Sequence, residues 1–281
     1  MKNDFQPIYF DSHMHTPLCK HAQGHPNEYV AVGEEKGLAG VIFTCHSPMP
    51  NRFSHHVRMS PDQFDEYCEL IQGAADNAPD GFEVRLGMES DFFPGMEKWL
   101  TELHQKADFH YILGSVHWHI PEYIDAFWSG DKEEFEKQYF LHLAESAESG
   151  LFDALAHPDL IKNSDPDSWD FERARPLVAE ALDRIADTGV AMELNTSGLR
   201  KPYSEMNPGR EMLAMMAERK IPVVVGSDSH VPERVGDQFE KALCILEEAG
   251  FDTVNVFKER KRKEIKIADV LESLRSPAAT R

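Results

Sequence analysis

Short apolar runs that end in polar residues recur about seven times along this chain, each followed by an amphipathic stretch that closes at a glycine or at the next apolar run. That alternation restricts the fold more than any single motif does, because repeated β–α units bury their strands on both faces only in a parallel sheet. The runs predict strands at Tyr9–Met14, Val41–Thr44, Glu83–Met88, Tyr111–Val116, Ala154–Ala156, Val190–Leu194 and Pro222–Val225. Ser60 and Gln63 form a capping box around Pro61, and Phe64, Tyr67, Cys68 and Ile71 then recur at helical spacing. Further helices are predicted at Lys132–Ser149, Phe171–Thr188, Pro208–Arg219 and Gln238–Ala249, with glycines after three of them. The chain has neither a GxGxxG fingerprint nor a Walker loop. A closed or nearly closed α/β barrel is therefore favoured over a nucleotide-binding open sheet, and all 281 residues are read as one domain.

Composition narrows the partners. Formal charge is −20, which disfavours the nucleic-acid backbone, since its partners usually show a basic face that displaces counterions from the phosphates. The basic cluster Lys258–Lys266 reads as a solvated edge or helix start. No apolar run reaches membrane-spanning length, and Met1–Tyr9 lacks the basic and apolar regions of a leader, so no membrane contact and a cytoplasmic location are expected. Cys19, Cys45, Cys68 and Cys244 lie far apart without CxxC spacing and are expected to be reduced, small buried hydrophobes.

Fourteen histidines matter here through their positions. His13 and His15 close the first predicted strand, His46 the second, Glu89 the third, His117 the fourth, His157 the fifth, and Asp228 with His230 the seventh. In a parallel barrel the carboxyl ends of the strands form one mouth, so residues distant in sequence converge there. Residues i and i+2 of an extended segment face the same side, which lets His13 pair with His15, and Asp228 with His230, toward one cation. Imidazoles with a few carboxylates suit zinc, manganese or iron better than calcium or magnesium. His25, His55, His104, His110 and His142 have no such placement, whereas His119 and His56 sit in loops expected near the mouth.

The motifs DSHMHT at 11–16, LCKHAQG at 18–24, TCHSP at 44–48, GMES at 87–90, GSVHW at 114–118, AHPDLI at 156–161, ELNTSGLRK at 193–201 and GSDSH at 226–230 resemble those of the polymerase-and-histidinol-phosphatase (PHP) family. They resemble its histidinol-phosphate phosphatases in particular. The resemblance spans nearly the whole chain and implies a distorted (β/α)7 TIM-like barrel. It also implies a centre of three divalent ions (Zn, Mn or Fe) held by His13, His15, His21, His46, Glu89, His117, His157, Asp228 and His230. His21, in a loop, enters only through the resemblance, and so does a bridging role for Glu89. Asp11 is expected to orient an imidazole or to hold its strand. Three divalent cations against two carboxylates leave a local charge of +4, which attracts a phosphate dianion despite the acidic surface.

The reaction then expected is hydrolysis of a small phosphate monoester, L-histidinol phosphate in the family's case, by a metal-bound hydroxide, with roughly 20 kcal/mol or more of barrier lowering to supply. Arg200 is expected to grip a phosphate oxygen bidentately, with Ser197, Lys162 and His119 as further substrate contacts and Arg58 as a weaker one. Asp228 or His230 could protonate the leaving alkoxide only if not fully committed to metal. Trp118, Phe127 and Trp128 are expected to wall the substrate's organic part. The competing readings are a PHP-type phosphoesterase for nucleotides or oligonucleotides, which sits badly with the acidic charge; an amidohydrolase, which needs a lysine at a strand end; and a non-catalytic metal-binding barrel. The sequence leaves the oligomeric state open.

Overall fold

In the computed structural model, residues 7–275 are described; Met1–Gln6, part of the stretch read above for a leader, and residues 276–281 lie outside them. The elements run β1 (Phe10–Asp11), α1 (Pro26–Glu35), β2 (Gly40–Phe43), α2 (Phe64–Asp76), β3 (Glu83–Asp91), α3 (Glu97–His104), β4 (Tyr111–Ser115), α4 (Pro121–Phe127) and α5 (Lys132–Glu148). They continue with β5 (Ala154–Leu155), α6 (Phe171–Thr188), β6 (Ala191–Asn195), α7 (Arg210–Glu218), β7 (Val223–Gly226), α8 (Phe239–Ala249), β8 (Thr253–Lys258), β9 (Lys261–Lys266) and α9 (Ile267–Arg275). Each predicted strand and each predicted helix is present within a few residues of its expected bounds.

Strands β1 to β7 pair in sequence order, all parallel, which is the expected α/β barrel. β3 shows how the barrel turns: Gly40–Phe43 pair with its first half, Glu83–Leu86, and β4 pairs with its second half, Gly87–Asp91, in register from Gly87↔Tyr111 to Asp91↔Ser115. That stagger carries Glu89 forward to the barrel's carboxyl end. Apolar residues fill the space between sheet and helices; Val41, Ile42, Ile112, Leu113, Val178, Leu182 and Val225 are fully buried.

Closure between β1 and β7 is irregular. Tyr9 Oη accepts from Val225 N at 3.1 Å, and Asp11 accepts from Ser227 N at 3.1 Å, from the Ser227 hydroxyl and from Gly236 N at 2.8 Å. Beyond them His15 N donates to Ser229 O at 2.8 Å and Ser229 N to His13 O at 3.1 Å. Side chains thus stand in for a ladder, and of the two roles expected for Asp11 it fills the one of holding its strand.

Three helices, α1, α3 and α4, and the β8–β9 hairpin with α9 were not among the predicted elements. The Lys258–Lys266 cluster is the hairpin's turn and exposed strand β9, which agrees with a solvated edge but not with a helix start. All four cysteines are free; Cys19 and Cys45 are buried, Cys68 and Cys244 half-buried. No helix among the described residues is long and apolar enough to cross a membrane.

Candidate metal centre

Glu89 stands at the middle of the barrel mouth, fully buried, and its two oxygens face different imidazoles. Oε2 lies 2.7 Å from His46 Nδ1, 3.6 Å from His13 Nε2 and 3.7 Å from His15 Nε2. Oε1 lies 3.1 Å from His157 Nε2 and 3.5 Å from His117 Nε2. Asp228 Oδ1 is 3.2 Å from His15 Nε2, 3.6 Å from His13 Nε2 and 3.5 Å from His230 Nδ1. His21 completes the group, its ring stacked 4.6 Å from His230 and 5.4 Å from His46. All nine residues named in the sequence reading therefore meet in one cluster. His157 and Asp228 take φ of 28° and 51°, a left-handed backbone that costs energy and recurs at functional sites.

The donor set fits divalent cations on several counts. His13 Nε2, both ring nitrogens of His15 and Glu89 Oε2 are buried without a hydrogen-bond partner, which is expensive unless a cation receives their lone pairs. His13–His15–Asp228, His15–His46–Glu89 and His21–His46–His230 each bring three ligand atoms within 4.8 Å of one another. Electrostatics agree. Burial alone would raise the Glu89 carboxyl and lower the His13 imidazole, yet the imidazoles around Glu89 hold it well below the usual carboxylate range and the surrounding carboxylates draw His13 well above the usual imidazole value. His15 is likewise lowered by burial but pushed up to about 9, chiefly by Asp228. This pocket attracts positive charge.

Two carboxylates that the sequence reading missed orient the ring. Glu193, fully buried on β6, accepts from His13 Nδ1 at 2.7 Å through one oxygen, and from His157 N at 3.0 Å and Asn195 Nδ2 at 2.9 Å through the other. Asp91 accepts from His117 Nδ1 at 3.0 Å and pairs with the buried Arg58 guanidinium at 2.5 Å. Burial raises Asp91, but Arg58 and His117 hold it far below the usual carboxylate range. Both contacts fix the tautomer that turns Nε2 into the cluster. A carboxylate inside the apolar run of β6 was the available signal for Glu193, since a buried charge demands a partner.

Gly226 makes room for that contact. A Cβ there would stand 2.0 Å from Glu193 Oε1 and 2.7 Å from His13 Cβ.

The residues expected to touch substrate have other partners in the structure. Lys162 is fully buried, and its three ammonium donors go to Asp159 Oδ2 at 2.9 Å, Glu205 Oε2 at 3.0 Å and Met206 O at 2.8 Å, so none remains for a phosphate. Arg200 pairs with Asp237 at 2.6 Å. Arg58 is committed to Asp91 and to Ser47 O at 3.0 Å. Ser197 Oγ donates to Asp228 Oδ2 at 2.9 Å, and His119 sits exposed beside His117 with ring centroids 5.4 Å apart. Asp228 Oδ1 and His230 Nε2 point into the cluster, while Asp228 Oδ2 faces Ser197 on its other side. Of the expected aromatic wall, Trp118 lies beside His119, but Phe127 packs inward on His142 at 4.4 Å and Trp128 packs on Phe135 at 5.3 Å. Among the described residues, the one ring His56 contacts is that of His55.

A parallel seven-stranded barrel with a histidine–carboxylate cluster at its mouth defines the class: a barrel whose mouth suits divalent cations. The PHP domain model matches residues 11–197, and the chain belongs to that family. It is 40% identical over 261 residues to the protein named "Probable histidinol-phosphatase" of Deinococcus radiodurans, covering 89% of this chain and 97% of that one. It is 28% identical to the histidinol-phosphatase of Bacillus subtilis, with 83% and 97% covered. In fold it is similar to the histidinol phosphate phosphatase of Lactococcus lactis, solved with Zn, L-histidinol and phosphate: TM-score 0.74, 21% identity, 91% of this chain and 98% of that one covered.

Proposed function

We propose that this chain hydrolyses L-histidinol phosphate to L-histidinol and phosphate at a centre of three divalent cations (Zn, Mn or Fe), held by the nine residues grouped around Glu89. The carrying observation is Glu89 itself, which offers one oxygen to His13, His15 and His46 and the other to His117 and His157, a bridging arrangement an imidazole cannot make. The choice of substrate is supported by relatives matched over 97% of their length that are named histidinol-phosphatase or probable histidinol-phosphatase. We read all 281 residues as one domain, the location as cytoplasmic and nucleic acid as no partner, given the charge of −20.

Cations bound there would supply Lewis-acid activation of water and offset the charge that builds on the phosphoryl group. The chain's part is to hold the donors rigid. Glu193 and Asp91 fix His13 and His117, while Ser197 and Asn195, the latter at 3.4 Å, fix Asp228 Oδ2. Positioning of this kind is what lets a barrel mouth act on an unreactive monoester. His119 and Trp118 border the opening where the organic part of the substrate enters.

The test is phosphate release from a panel of monoesters, L-histidinol phosphate, p-nitrophenyl phosphate and a nucleoside monophosphate, with zinc or manganese added. Preference for L-histidinol phosphate in kcat/KM supports the proposal. Preference for the nucleotide, or no turnover of any member, contradicts it.

A further inference from the structure

Lys201, which closes the donor-rich motif at 193–201 and was given no role of its own in the sequence reading, is a cationic arm at the mouth of the cluster. Lys201 Nζ lies 3.9 Å from Asp228 Oδ2, too far for a hydrogen bond, and its ammonium makes none with the described residues. Its side chain is 27% exposed, which places it between the buried donors and solvent. Asp228 is two-sided: Oδ1 faces His13, His15 and His230, while Oδ2 faces outward to Ser197 and Lys201.

The preceding residues explain the placement. Thr196–Arg200 form a 3-10 turn, in which neighbouring side chains diverge by about 120°. Lys201 leaves that turn with an extended backbone, so it and Arg200 point apart: Arg200 outward to Asp237, with 49% of its side chain exposed, and Lys201 to the cluster.

We propose that Lys201 is the phosphate-gripping residue of this site, its free ammonium donors taking a non-bridging oxygen of a phosphate dianion, whether that of the incoming monoester or of the inorganic phosphate product. The inference rests on the phosphatase reading above and assigns to Lys201 the role that the sequence assigned to Arg200.

The experiment compares metal-loaded wild type, Lys201→Met, Lys201→Arg and Arg200→Met, measuring KM for L-histidinol phosphate, inhibition by inorganic phosphate, and bound metal. Lys201→Met should raise both KM and the phosphate Ki about tenfold or more, as loss of a hydrogen bond to a charged group requires, with metal content unchanged. Lys201→Arg should recover part of both, and Arg200→Met should shift them by no more than about twofold. Equal constants in Lys201→Met and wild type, or a larger effect from Arg200→Met, overturn the proposal. Metal loss in Lys201→Met also overturns it, since the lysine would then be serving the cluster. Should wild type hydrolyse no monoester, the phosphatase reading fails by itself, and calorimetric titration of inorganic phosphate into the same four metal-loaded proteins still decides the role of Lys201.

Discussion

His21 Nε2 and His230 Nε2 face each other at 2.9 Å, and in each ring Nδ1 is engaged with a backbone carbonyl, Cys19 O at 2.7 Å and Asp228 O at 3.1 Å. A carbonyl only accepts, so both Nδ1 atoms carry the proton and, in the neutral rings, both Nε2 atoms present lone pairs to each other. Two opposed lone pairs at this distance repel; a shared cation reverses the sign.

Chelation should therefore destabilise the fold as well as stop turnover. Treatment with EDTA should lower Tm by several degrees, and added zinc or manganese should restore it, because a ligand bound only to the folded state adds to stability by mass action. Equal Tm with and without chelator, in protein shown to lose its metal, would contradict the repulsion argument.

Glu193→Gln should cost about 10- to 100-fold in metal affinity or activity, the usual consequence of losing the carboxylate behind a metal-facing imidazole. Gln keeps the size and one acceptor, so the fold should persist by circular dichroism. Elemental analysis with kcat and KM checks it; a fully loaded, fully active variant removes Glu193 from its orienting role.

Gly226→Ala tests the same contact from the backbone side. The added methyl must displace Glu193 Oε1 or the His13 stem, neither of which has space to move in a fully buried mouth. Lower metal content and a lower Tm are expected together, and Gly226→Ala matching wild type in both would show that the close approach is relieved without cost.

Acid should weaken the fold through two histidines away from the cluster. Burial lowers His142 to about 4, and burial with Arg260 lowers His104 to about 4. One nitrogen of each ring is engaged, His142 Nδ1 by Tyr123 Oη at 2.8 Å and His104 Nε2 by Ser90 Oγ at 2.9 Å. With folded values below the unfolded one near 6.5, the unfolded chain binds more protons in between, so this stability is fully present above about pH 6.5 and is lost as pH falls toward 4. Urea midpoints for chelated protein should decline over that window, and His142→Phe should flatten the decline. An unaltered slope in the variant contradicts the assignment.

The barrel was legible because β-strands buried on both faces leave continuous apolar runs, as Val223–Gly226 does, and because helices such as Phe171–Thr188 close at a glycine in left-handed geometry, here Gly189 with φ 72°. Strand β9 was not, since its side chains Lys261–Lys266 are nearly all exposed and charged on both faces, which erases the period of two. Eight of the nine clustered residues followed from strand ends, and His21 only from the family resemblance of the motifs. The phosphate contact did not follow: the direction of Arg200 is set by Asp237, 37 positions later, and that of Lys201 by the end of a 3-10 turn, neither of which periodicity records.

Anomalous X-ray diffraction at the zinc edge from zinc-loaded crystals tests the central claim most directly. The account predicts separate peaks within about 2.0–2.3 Å of the imidazole nitrogens named above, with two of them sharing the Glu89 carboxylate, one on each oxygen. Density for a single cation that leaves Glu89 bound through one oxygen, or no peak among these residues, would contradict it.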